Sequence, residues 1–185
     1  VTYQTAYLKA HYPVAYMAAL LTVNAGSTDK VQRYISNCNS MGINVMPPNI
    51  NTSGVDFTPK DNSILFGFSA VKNLGDGAIR KIISSRDEDG EFTSLAQFCD
   101  RISLSAVNRR GLEALIHSGA LDCLEENANR AQLIADLDLT IEWASSRAKD
   151  RNSGQGNLFD LSNSTNNESS QGDDYLSVPK AKQIN

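Results

Sequence analysis

Residues 70–83 read Ala70-Val71-Lys72-Asn73-Leu74-Gly75-Asp76-Gly77-Ala78-Ile79-Arg80-Lys81-Ile82-Ile83. A hydrophobic-Gly-x-Gly turn lies between two runs of helical spacing, which is the form of a helix-hairpin-helix. Helices are expected over residues 69–73 and 78–86, with Gly75 and Gly77 taking the positive φ angles of a tight turn and leaving no side chain between backbone and ligand. Free N–H groups at the start of the second helix carry the positive end of its dipole, a setting that suits a phosphate oxygen. The candidate DNA-binding residues are therefore Lys72, Leu74, Gly75, Gly77, Ala78, Arg80 and Lys81. Such contacts hold the sugar-phosphate backbone and read no bases. Taken alone, the same two glycines also fit a plain helix cap and turn in a bundle, so both readings stay open at this point.

Downstream, Asn108-Arg109-Arg110 opens an amphipathic run with Leu112, Leu115 and Ile116 on one face, and Gly119 after it is a weak echo of the first turn. Asn108, Arg109 and Arg110 join the DNA-binding candidates. Residues 72–110 hold seven basic and six acidic side chains, so the surface is no basic groove and any affinity should be modest. Further helices are expected over residues 94–102, 106–117 and 129–146 from their apolar spacing. Upstream, Tyr3, Tyr7, Leu8 and Ala10 share a helical face, and Pro13 sits where a first-turn proline is tolerated. Ser27 or Thr28 can cap a third helix that ends at Gly42. Residues 43–46, stopped by Pro47-Pro48, and residues 64–68 are β-prone, giving a small strand pair. The expected fold is mostly α: three N-terminal helices, a tandem helix-hairpin-helix module with a small β pair, and a flexible tail.

The chain has 185 residues, 41% of them hydrophobic, and a net charge of −4, enough for about one domain with a core. No apolar run is long enough to cross a bilayer. There is no leader-like N-terminus, and the three cysteines are widely spaced, so a reducing cytoplasm is the expected compartment. The chain opens at Val1 in what reads as a helix, which is expected of a piece of a longer polypeptide. From Ser145 onward, 14 of 41 residues are Ser or Asn, and this stretch reads as too poor in apolar surface to order itself.

Catalytic patterns are scarce. Asp136-Leu137-Asp138 resembles a metal-binding carboxylate pair in its letters only, because residues two apart on a helix face different sides; it reads as a solvated helix surface. Asp87-Glu88-Asp89, just before Gly90, reads as a loop. His11, His117, Cys38, Cys99 and Cys123 lack zinc spacing and read as packing or surface residues. No phosphate-binding loop or nucleophile elbow occurs. One further segment stands out: in Gln155-Gly156-Asn157-Leu158-Phe159 a Leu-Phe pair breaks a polar run. Composition alone favours no role for it, but a partner pocket would account for it.

Five segments in order resemble the catalytic alpha subunit of bacterial replicative DNA polymerase III. They are residues 3–13 (Tyr3-Gln4-Thr5-Ala6-Tyr7-Leu8-Lys9, then His11-Tyr12-Pro13), Met17-Ala18-Ala19-Leu20-Leu21, residues 41–51, residues 64–78 and residues 107–122. The resemblance implies that residues 1–46 are the end of the fingers domain, residues 47–146 the helix-hairpin-helix region that grips duplex DNA, and residues 147–185 a linker. It also implies that Gln155, Leu158 and Phe159 form the motif that docks on the sliding clamp, with Gly156 and Asn157 departing from the favoured choices and weakening it. The palm aspartates, with the Mg²⁺ of the parent polymerase, would precede Val1, and an oligonucleotide-binding domain would follow. The expectation is a non-catalytic part of a DNA-directed DNA polymerase, with no cofactor of its own. Its expected partners are primer-template DNA, the sliding clamp and other replicase subunits, at the nucleoid in the cytoplasm. The alternative is a free-standing, repair-type DNA-binding adaptor.

Overall fold

The computed structural model describes residues 2–102, 105–124, 129–152 and 180–181. Its elements run α1 (Thr2–His11), α2 (Pro13–Val23), α3 (Thr28–Ser40), β1 (Asn44–Met46), β2 (Thr58–Lys60), β3 (Ser63–Leu65), a 3₁₀ turn (Phe68–Ala70), α4 (Asp76–Asp89), α5 (Leu95–Arg101), α6 (Arg109–Ser118) and α7 (Arg130–Asn152). The chain is mostly helical with one small sheet, as its spacing implies.

Two apolar clusters organise the elements. Met17, Ala18 and Leu21 of α2, Val31 and Cys38 of α3, Ile43, Phe57 and Ile64 form the first. The second and larger one gathers Ile79 and Ile82 of α4, Phe98 of α5, Leu112, Leu115 and Ile116 of α6, and Leu133 and Leu137 of α7. Ile50 belongs to the second cluster while Phe57 and Ile64 belong to the first, so the chain passes between them more than once. A single cut after residue 46 does not separate the two clusters.

The sheet has order β1-β3-β2, with Val45 opposite Ile64 in a parallel pair and Pro59 opposite Ile64 in an antiparallel one. Strand β3 ends at Leu65, short of the expected 68, and β2 is an addition to the expected pair. Pro59 lacks a ladder N–H and accordingly sits on an edge strand. The loop back to the core is tight: Phe68 N–H donates to Gly54 O at 3.0 Å and Ser69 N–H to Val55 O at 2.9 Å. A Cβ on Gly67 would lie 2.5 Å from the carbonyl carbon of Asp56, which explains a glycine there.

Local chemistry sets the helix ends. Ser94 caps α5, its Oγ accepting from Gln97 N–H at 3.1 Å, while Gln97 Oε1 accepts from Thr93 N–H at 2.8 Å. This is a close relative of the reciprocal Ser-x-x-Gln cap. Gly119, at φ 84°, ends α6 in the left-handed conformation. Two expectations need correction here. Asp87, Glu88 and Asp89 are the last turn of α4 and not a loop, because the helix runs on until Gly90 at φ 82° stops it. The helix expected to stop at 146 continues to Asn152, because Arg151 Nη2 donates to Asp100 Oδ1 at 2.7 Å and ties its last turns to α5. By contrast, α1 buries no residue, and Tyr3 and Tyr12 are widely exposed.

Candidate nucleic-acid interface

The turn between the 3₁₀ segment and α4 places the predicted residues as follows. Leu74 and Ala78 point inward, 9% and 7% exposed, so their side chains are core and only their backbone is available to a ligand. Lys72, Gly75, Gly77, Arg80 and Lys81 are exposed. The first arm of the hairpin is a single 3₁₀ turn rather than the expected helix over 69–73.

The expected positive φ at the two glycines is not found. Gly75 has φ −80° as the N-cap of α4, and Gly77 lies within the first helical turn. The left-handed residue is Asn73, at φ 62°. Asparagine tolerates that region through local hydrogen bonding, so the sharp reversal falls two residues before the glycine. The glycines matter for clearance instead: a Cβ on either would meet nothing within 4 Å among the described residues. Gly75 carries no side chain to cap the helix, and no side-chain cap bond is made there. The first amides of α4 thus lie beneath an open approach at the positive end of the helix.

The mate of this turn is not the segment around Gly119, as the echo suggested, but the turn that leads into α6. Asn73, Leu74, Gly75 and Ala78 line one side of a cavity of about 180 Å³, and Ala106, Val107 and Asn108 line the other. A Cβ on Gly111 would approach Val107 Cγ1 at 3.1 Å and Asn73 O at 3.4 Å, so this glycine lets the two turns close on each other. Gly111 was not among the expected site residues, and its closeness to Asn73 across 38 positions leaves no local signal.

The two turns differ in chemistry. Asn108 Oδ1 accepts from Gly111 N–H at 2.9 Å and so caps its own helix. Arg109 Nε donates to Asp138 Oδ1 at 2.8 Å and Nη2 to Oδ2 at 3.1 Å, and Nη1 pairs with Glu113. The hydrogen bond to Asp138, then its charge and that of Glu113, raise the Arg109 pKa, and the same fork lowers that of Asp138. Arg110 is exposed and makes no hydrogen bond or ion pair to the described residues.

Asp136 and Asp138 face apart, as their spacing requires. Asp136 is nonetheless not solvated: it is 5% exposed, and Oδ1 accepts from Gln132 Nε2 at 3.0 Å. It lies on the stripe Leu133, Asp136, Leu137, Thr140, Ala144 that α7 turns inward. Among the described residues no group of three or more His, Cys, Asp or Glu side chains could hold a metal ion. Cys38 and Cys99 are buried and Cys123 is exposed. No helix of the described residues is long and apolar enough to cross a membrane. Gln155, Leu158 and Phe159 lie outside the described residues.

Residues 42–133, which hold both turns, match a family model described as a helix-hairpin-helix motif. Over most of its length the chain is homologous to one segment of DNA polymerase III subunit alpha. It is 46% identical over 158 residues to that subunit from Thermus aquaticus, a match covering 85% of this chain and 13% of the relative. The subunit from Deinococcus radiodurans is 47% identical over 149 residues, covering 80% of this chain and 11% of the relative. That from Vibrio cholerae is 38% identical over 181 residues, covering 97% and 15%. The chain thus spans roughly a seventh or less of the length of these relatives.

Proposed function

We propose that this chain is a non-catalytic, DNA-holding part of a replicative DNA-directed DNA polymerase. The homology and the helix-hairpin-helix motif support DNA binding in general terms. The observation that carries the finer reading is the open, uncapped start of α4 beside Lys72, Arg80 and Lys81, all exposed and without a hydrogen bond or ion pair to the described residues. A backbone phosphate of duplex DNA fits that arrangement: amides and dipole meet the oxygens, the lysines and arginine add charge, and no base edge is read.

In this reading the N-terminal helices are the end of the fingers domain, the helices packed around the second cluster, α7 to Asn152 included, hold the duplex behind the active site, and the chain beyond them links to the clamp through Gln155, Leu158 and Phe159. The polymerase as a whole would join a primer 3′-hydroxyl to the α-phosphate of a deoxynucleotide with Mg²⁺ held by aspartates elsewhere, alongside other replicase subunits at the nucleoid. Asp136 cannot serve as one of those aspartates, being buried and engaged with Gln132.

Titration of a mixed-sequence duplex at several salt concentrations tests the reading. The logarithm of the binding constant should fall linearly with that of salt, by about 0.9 per phosphate contacted, and scarcely vary with sequence. The chain alone should incorporate no nucleotide. Immeasurable duplex binding at low salt, or polymerisation by the isolated chain, overturns it.

A further inference from the structure

The two turns that face each other across the cavity are unequal, and the inequality assigns different work to adjacent arginines; this step rests on the duplex-binding reading above. At α4 nothing from the cap residue covers the first amides. At α6 the Asn108 side chain already satisfies one amide, and Arg109 is already forked onto a carboxylate. Arg109, Glu113 and Asp138 together carry one positive and two negative charges, so the surroundings of the Arg109 guanidinium repel a phosphate. Arg110 projects about 100° farther round the helix and bears none of these partners.

We propose that Arg109 is a positioning residue, fixing the α6 turn to α7 through Asp138, and that Arg110 supplies the cation this turn offers to DNA. The fork joins the first residue of α6 to the ninth of α7, 29 positions away in sequence. Because Gly111 in turn lies close beneath the Asn73 carbonyl, holding α6 also holds the spacing between the two turns. Bidentate pairing suits this use, since it sets orientation as well as distance.

A charge exchange separates the two possible roles. In duplex titrations of the 185-residue chain, Arg109→Glu should weaken binding about tenfold, and Arg109→Glu with Asp138→Arg should restore it to within about twofold, with the salt slope of the unaltered chain. Were Arg109 a phosphate ligand, the exchanged pair would stay as weak as the single change, because position 109 would still present a carboxylate to DNA. Arg110→Gln should reduce the salt slope by about 0.9 and Arg109→Gln should leave it unchanged. The opposite pattern overturns the assignment, and this glutamine pair decides alone if Arg109→Glu does not fold. Absence of duplex binding by the unaltered chain is a different result, visible without any variant, and removes the underlying reading and this inference with it.

Discussion

The buried carboxylate of Asp136 accepts the backbone N–H of Ala181 at 2.6 Å, 45 residues farther along the chain. Gln132 Nε2 donates to the same Oδ1 at 3.0 Å and to Ala181 O at 3.4 Å, so the returning segment is gripped by both its peptide groups. Asp136→Ala removes the shared acceptor and should cost about 1–3 kcal/mol, the usual penalty for orphaning hydrogen-bonding groups away from water. Trypsin should then cut after Lys180 several times faster while the helical circular dichroism is retained. An unchanged cleavage rate would show that the contact does not anchor this segment.

A second long-range tie holds α5 to α7. The Asp100 side chain is only 5% exposed and accepts from Arg151 Nη2 at 2.7 Å and Nη1 at 3.2 Å, with Arg147 Nε 3.9 Å away. Replacing Asp100 by Ala removes the carboxylate that both arginines face, and a loss of about 1–3 kcal/mol is expected. Arg151→Ala should cost less, since Arg147 remains and the Arg151 side chain is 54% exposed. Urea unfolding gives the comparison, with midpoints falling and slopes unchanged. Equal losses in the two variants would mean that Arg147 adds nothing through Asp100.

Two glycines should respond to alanine in opposite ways. At Gly77 a Cβ meets nothing within 4 Å and the residue is helical, so Gly77→Ala should stabilise by up to about 1 kcal/mol while narrowing the approach to the α4 amides and weakening duplex binding. At Gly67 the Cβ would press on the backbone of Asp56 and Phe57, at 2.5 and 2.6 Å, so Gly67→Ala should destabilise by roughly 1–3 kcal/mol through forced backbone movement. Thermal unfolding paired with duplex titration reads both. Undiminished duplex affinity in Gly77→Ala would mean that no phosphate comes close to that Cβ.

What the sequence reveals of this fold is what local rules encode. The periodicity of Leu112, Leu115 and Ile116 sets the buried face of α6, and Ser94 with Gln97 marks the start of α5. Three-residue β2 is invisible to such rules, since Thr58-Pro59-Lys60 holds a proline and no apolar alternation. Glycine, having no Cβ, is the expected place for a positive φ, whereas the turn uses Asn73 for that region and keeps its glycines for clearance. Helical spacing separates Asp136 from Asp138 but does not say which of them faces the core. The helical spacing of Leu133, Leu137, Thr140 and Ala144 puts Asp136 on the inner stripe with them. The partners of Arg109 illustrate both cases: Glu113 is legible as an i,i+4 neighbour, while Asp138 becomes one only once α6 meets α7.

The buried thiol of Cys99 gives an alkaline limit. Burial, with the Asp100 charge adding to it, pushes its pKa up from 9.0 to about 12. Because the folded-state value is the higher one, its contribution is complete below about pH 9 and is lost as pH rises toward 12, where the unfolded chain releases a proton that the folded one retains. The urea midpoint should therefore fall between pH 9 and 11, and fall less in Cys99→Ala measured against its own midpoint at pH 8. Parallel curves for the two proteins would remove Cys99 as the cause. In the folded chain a thiol reagent should modify exposed Cys123 well before Cys38 or Cys99, both of which are buried.

The clamp reading of Gln155, Leu158 and Phe159 makes the sharpest separation of functions. Gln155 follows Asn152, the last residue of α7, by three positions in the sequence. Filling a pocket with Leu158 and Phe159 would contribute about 1.5–3 kcal/mol each, offset in large part by ordering the peptide, which implies weak docking. Weak docking suffices when the duplex already tethers the two partners, because rebinding is then intramolecular. Leu158→Ala with Phe159→Ala should abolish retention of the chain on immobilised sliding clamp and leave duplex affinity and its salt slope unchanged. Retention equal to that of the unaltered chain would exclude the motif from clamp binding. A parallel loss of duplex affinity would instead tie these two side chains to the body that holds DNA.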